Sequence, residues 1–112
     1  TGLPDGEYIQ GSLENGIRFR VEDGVALRPD RSSLAGSVAT ADRLVRTMAR
    51  AIAGTSALAA GIPDAGRMMT ATPARILGLP AKGRLAPGSD ADIVLFDDTV
   101  AVSRVFIGGK EI

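Results

Sequence analysis

Apolar and polar positions alternate most clearly over 17–21, where Ile17, Phe19 and Val21 share one side of a strand and Arg18 and Arg20 the other. Asp23-Gly24 follows, then Val25-Ala26-Leu27-Arg28. Two short runs joined by Asp-Gly predict a hairpin, with residues 7–10 as a further edge strand. From Ser32 to Gly78 the pattern changes to helical spacing. Thr40 reads as the N-cap of a helix over 41–53. Leu44, Met48, Ala51 and Ile52 form its apolar face, Val45 and Ala49 flank it, and Arg43, Arg46 and Arg50 form a solvated opposite face. Gly54 stops that helix. A helical turn over 56–60 and two proline-started helices follow, one opened by Ile62-Pro63-Asp64 with proline at its first position and running to Thr70, and one over 73–77 capped by Gly78. Past Lys82-Gly83 and Pro87-Gly88, which signal turns, residues 91–96 and 103–107 read as strands. Gly108-Gly109 then turns the chain into a truncated last strand over 110–112.

The chain's 112 residues suffice for one domain or part of one. They are too few for a complete (β/α)8 barrel, which needs about 250. Thirteen basic and thirteen acidic residues cancel. A nucleic-acid binder would show a basic excess or stripe, so nucleic acid is not expected as a partner. No apolar run approaches the roughly 20 residues of a membrane-spanning helix. No signal peptide opens the chain, and the expectation is a cytoplasmic protein. The chain has no cysteine and no histidine. This removes the thiolate nucleophile, the zinc–sulfur site, the commonest general base and the commonest metal ligand together.

Little chemistry stands out from single residues. An N-terminal Thr1 has the form of an N-terminal nucleophile, but a helical middle is the wrong scaffold for one. Asp90 and Asp92 lie two apart at the start of a strand, spaced either as a metal pair or as caps on nearby backbone groups. Asp97-Asp98 reads as a solvated turn. Leu34-Ala35-Gly36-Ser37 reads as a glycine-containing loop leading into a helix, where backbone N–H groups can meet a ligand.

Taken in order, the motifs are more specific than any of them alone. They are Gly2-Leu3-Pro4-Asp5-Gly6-Glu7-Tyr8, Leu34-Ala35-Gly36-Ser37, Thr72-Pro73-Ala74-Arg75 with Leu77-Gly78-Leu79, Lys82-Gly83, Pro87-Gly88-Ser89-Asp90-Ala91-Asp92-Ile93-Val94, and Val105-Phe106-Ile107-Gly108-Gly109. Across essentially its whole length the chain resembles the C-terminal third of the N-acetylglucosamine-6-phosphate deacetylases of the amidohydrolase superfamily. The later motifs recur in dihydroorotase-like and imidazolonepropionase-like enzymes; the first two narrow the resemblance to the sugar-phosphate deacetylases.

The resemblance implies an α/β fold, here a C-terminal fragment of a metal-dependent (β/α)8 amidohydrolase barrel plus strands of its small β-sandwich domain. Residues 1–78 would supply the hairpin after the eighth barrel strand, the substrate loop and outer helices. Residues 79–112 would supply strands of the sandwich. It implies that Leu34, Ala35 and Gly36 contact substrate, with Ser37 continuing the motif, and that no catalytic residue or metal ligand lies in this chain. The divalent metal, zinc or another transition metal, and the catalytic aspartate would lie upstream, the aspartate a few residues before Thr1. The parent enzyme would hydrolyse the N-acetyl group of N-acetylglucosamine 6-phosphate as a homodimer, and the fragment would be inactive. Its partners would be the upstream part of the same protein and the sugar-phosphate substrate. The alternatives are part of another amidohydrolase, acting on a cyclic amide or imide, or a non-catalytic binding module. One departure from the family pattern is the run Arg28-Pro29-Asp30-Arg31-Ser32-Ser33 just before Leu34.

Overall fold

The computed structural model describes residues 2–12 and 14–112, so Thr1, considered above as a nucleophile, lies outside the described residues. It is an α/β chain of two compact units divided after Thr40, each with its own antiparallel sheet.

The first unit is a four-stranded sheet in the order β1 (Gly6–Gln10), β2 (Ile17–Glu22), β3 (Val25–Leu27), β4 (Leu34–Gly36). The predicted β2–β3 hairpin is present. Its turn residues Asp23 and Gly24 both take positive φ, 50° and 72°, as a two-residue type I′ turn requires. Val21 and Ala26 stand directly opposite each other and are the buried residues among those described in this unit. The structure corrects one reading here: Leu34–Gly36 is an edge strand, not a loop leading into a helix. Three residues are too few to show an alternating pattern. Their strand character comes from pairing, Leu34 with Leu27 and Gly36 with Ala26.

The second unit begins with α1 (Ala41–Ala53), which Gly54 ends in a left-handed conformation. A 3-10 turn (Leu58–Gly61) leads into α2 (Ile62–Met69), where Pro63 is the second residue, and then α3 (Ala71–Ile76). The last helix starts two residues before Pro73, earlier than the proline signal suggests. Gly78 ends it with φ 66°: its N–H bonds the Arg75 carbonyl and the Leu79 N–H bonds that of Ala74, the paired bonds of a Schellman cap.

The face of α1 that packs is not the one its large residues mark. Ala49 is fully buried, whereas Leu44 and Met48 remain 45% and 40% exposed. Gly61 explains this, because a Cβ there would lie 2.0 Å from the Ala49 carbonyl oxygen. The chain approaches α1 along its small residues. A different segment engages Arg46, expected to be solvated: its guanidinium donates to the carbonyls of Thr99 and Val100 and to Asp42.

A second sheet, β5 (Ile93–Phe96), β6 (Val102–Ile107), β7 (Lys110–Glu111), completes this unit as an antiparallel meander. Gly108 and Gly109 take φ 56° and 81° in its last turn. Asp97 is likewise more than a solvated turn residue. Its Oδ1 accepts from the Thr99 N–H, the Thr99 hydroxyl and the Ala101 N–H. These bonds hold the β5–β6 turn in which Val100, 2% exposed, adopts φ 63°. A β-branched residue in that region is strained.

Candidate functional site

The site is built on the sheet of the first unit. β1 and β2 pair so that Tyr8 faces Phe19 and Glu7 faces Arg20. The two rings stack with centroids 5.5 Å apart, and the Tyr8 hydroxyl donates to the Pro4 carbonyl. The segment before β1 is tied down twice more. The Gly2 N–H bonds the Val38 carbonyl at 3.0 Å, and the Asp5 carboxylate accepts from the N–H groups of Asp23 and Gly24 at 3.1 and 3.4 Å. The opening motif therefore joins the start of the chain to the β2–β3 turn and to the residues just after β4.

Between these elements lies a cavity of about 410 Å³. Leu3, Tyr8, Ile9, Phe19 and Ala26 give it apolar walls; Gln10, Ala35, Gly36 and Ser37 complete the lining. Of the three residues expected to contact substrate, Ala35 and Gly36 line this cavity and Leu34, 71% exposed, does not. The pairing shifts register between Ala26 and Leu27, which makes Ala35 an extra residue opposite β3, a bulge. Gly36 faces open space, since a Cβ added there would meet nothing within 4 Å. The Ser37 hydroxyl accepts from the Ala39 N–H and so holds the turn beyond the strand. β4 is the last strand of its sheet, so small residues and backbone border the cavity.

An ionic chain runs along the same sheet. Arg20 bridges Glu7 and Glu22, and Arg31 forks onto both oxygens of Glu22. The Arg31 guanidinium first, and Arg20 with it, holds the Glu22 carboxyl below the usual carboxylate range. This explains the unusual run before Leu34. Asp30 accepts from the Ser32 N–H and hydroxyl, Arg31 takes φ 57°, and its side chain pins the β3–β4 loop to β2. Sequence reasoning missed this clamp and the cavity walls Leu3, Tyr8 and Phe19. The signal for the last two was the pair of strand-forming runs at 7–10 and 17–21, whose antiparallel pairing sets Tyr8 opposite Phe19.

In the second unit Asp90 and Asp92 share a cation from within the chain. Lys82 Nζ bridges both carboxylates, and Asp92 also accepts the Gly108 N–H at 2.8 Å. Lys82, followed by the Gly108 bond, lowers the Asp92 carboxyl below its ordinary value. Asp92, just before β5, thus caps the backbone of the β6–β7 turn, and Lys82 ties Asp90 to it. Among the described residues no group of three or more acids, histidines or cysteines converges as a metal site. No helix of the described residues is long and apolar enough to cross a membrane.

Three comparisons bear on this arrangement. The sequence profile of the amidohydrolase family matches residues 9–112. The structure is similar to that of an N-acetyl-D-glucosamine-6-phosphate deacetylase mutant from Mycobacterium smegmatis in complex with N-acetyl-D-glucosamine-6-phosphate. That similarity has a TM-score of 0.80 at 36% identity and covers 99% of this chain and 27% of that one. The N-acetylglucosamine-6-phosphate deacetylase of Thermotoga maritima gives 0.74 at 29% identity, over 98% and 27%. An N-acetylgalactosamine-6-phosphate deacetylase from Shewanella sp. (strain ANA-3) is 38% identical over 90 residues, 80% of this chain and 21% of that protein. The chain therefore spans about a quarter of the length of the proteins it matches.

Proposed function

Because the chain belongs to the amidohydrolase family, we propose that it is the C-terminal part of an enzyme that hydrolyses the N-acetyl group of N-acetylglucosamine 6-phosphate. The products are glucosamine 6-phosphate and acetate. In this reading residues 1–78 belong to a (β/α)8 barrel and residues 79–112 to its small β-sandwich domain. Ala35 and Gly36 border the bound sugar phosphate, and Leu34 starts the strand that carries them. Likeness over 99% of the chain to a deacetylase holding that sugar phosphate carries the reading.

The contribution of this segment is binding and orientation. A strand edge made of Ala35 and Gly36 lets a polar ligand approach the backbone closely, and the stacked Tyr8 and Phe19 keep the wall behind it rigid. The family reading also brings a divalent metal, zinc or another transition metal, which activates water when bound. The residues of this chain do not fit it, since Asp90 and Asp92 are committed to Lys82 and Gly108. Metal ligands and the proton-transferring aspartate belong to the rest of the protein, a cytoplasmic homodimer in this reading. The isolated segment is inactive.

Turnover by the full-length protein tests this, read as acetate release from the 6-phosphates of N-acetylglucosamine and N-acetylgalactosamine and as ring opening of a cyclic imide. Preferred turnover of the first is expected. Preference for the galactosamine epimer would move the substrate assignment, and turnover of the imide alone would favour the other amidohydrolase reading.

A further inference from the structure

We infer that Asp5 is a positioning residue for the substrate-bordering strand, an inference that rests on the reading of Ala35 and Gly36 given above. Asp5 is exposed and lies outside the cavity lining, so it does not border the ligand itself. What it does is hold a strap. Residues 2–8 cross the first unit and are fastened at three points: Gly2 to the Val38 carbonyl, Asp5 to the Asp23 and Gly24 N–H groups, and Tyr8 to Pro4 and to the face of Phe19.

The first fastening reaches the residues that follow β4, and it requires a glycine. Gly2 has φ 62°, and a Cβ there would lie 2.8 Å from Thr40 Cγ2. The second grips the turn that starts β3, the strand on which β4 is paired. Leu3, between the two, forms the cavity wall. β4 is only three residues long and carries a bulge, so its own ladder holds it weakly. Its position depends on β3 and on the Val38 end. Asp5 lies between these two supports and is the only side chain of the strap whose charge is spent on backbone of the β2–β3 turn. Each carboxylate oxygen accepts one of these N–H groups, so a single side chain ties the strap to the turn. Losing these two bonds frees the strap between Gly2 and Gly6 and with it the registry of Ala35 and Gly36.

The test compares Asp5→Ala and Asp5→Asn in the full-length protein by two readouts. The first is steady-state deacetylation of the hexosamine 6-phosphate. Asp5→Ala should raise KM by roughly three- to tenfold, leave kcat within about twofold, and be partly rescued by Asp5→Asn, whose amide oxygen can still accept. The second is amide hydrogen exchange over residues 34–38, which needs no activity. Exchange there should speed up in Asp5→Ala and less so in Asp5→Asn, with the helices of the second unit unchanged. Unaltered exchange at 34–38 overturns the inference. So does a fall in kcat and melting temperature together with unchanged KM. Faster exchange at 34–38 in a protein that does not process the sugar phosphate would support the strap and sink the deacetylase reading instead.

Discussion

Asp97 shows how much one exposed carboxylate can organise. Its three bonds close the β5–β6 turn around Val100, and Arg46 holds the outer side of the same turn through the Thr99 and Val100 carbonyls. The Thr99 hydroxyl, followed by the Ala101 and Thr99 N–H groups, keeps the Asp97 carboxyl below its ordinary value of 3.8. A carboxyl whose folded value is lowered contributes stability that is complete above its unfolded value and is lost as pH falls through the folded one. The full-length protein should therefore lose denaturant resistance as pH falls below 3.8, and Asp97→Asn should lose less over that interval. Urea midpoints measured at several pH values check this; parallel curves would rule Asp97 out as a contributor. The sequence showed Asp97-Asp98 only as a turn, because an aspartate's partners depend on where the chain bends after it.

At the scale of elements, legibility followed periodicity. The β2–β3 hairpin was readable because alternation and Asp23-Gly24 agree, and α1 because its caps and spacing agree. The packed side of α1 was not readable. Large residues mark where apolar area lies, whereas the close contact is set by a missing side chain, Gly61 against Ala49. β4 was invisible for the converse reason, being made by its neighbour. Two glycines separate these roles experimentally. Gly61→Ala should destabilise the protein by about 1–3 kcal/mol, the usual cost of overpacking, read as a lower melting temperature. Gly36→Ala should leave the melting temperature nearly unchanged, since its Cβ meets open space, while weakening substrate binding. An intact KM in Gly36→Ala would argue against β4 as a substrate edge.

For the molecule as a whole, the fully buried side chains are small. Among the described residues, the core is Val21 and Ala26 in one unit and Ala49, Ala65, Ala74 and Val100 in the other. Leu34, Ile76, Leu77 and Leu85 stand largely in solvent. The α/β class was legible from the succession of turn-rich, helical and again strand-forming stretches. The cavity was not, because its walls come from four strands and the strap. The 112-residue chain by itself should bind a hydrophobic dye and melt without a sharp transition, and the full-length protein should do neither. A sharp calorimetric transition of the short chain would show that the two small cores suffice.

The left-handed Val100 also has a consequence for how this sequence can drift. Its backbone conformation favours glycine or asparagine, while its side chain fills a buried position, so the site carries two opposed selective pressures. Arg46 and Asp97 hold the conformation that a valine there resists. Across related sequences, these three positions should therefore change as a set: lineages with glycine or asparagine in place of Val100 are free to lose the arginine or the aspartate, and those that keep valine are bound to keep both.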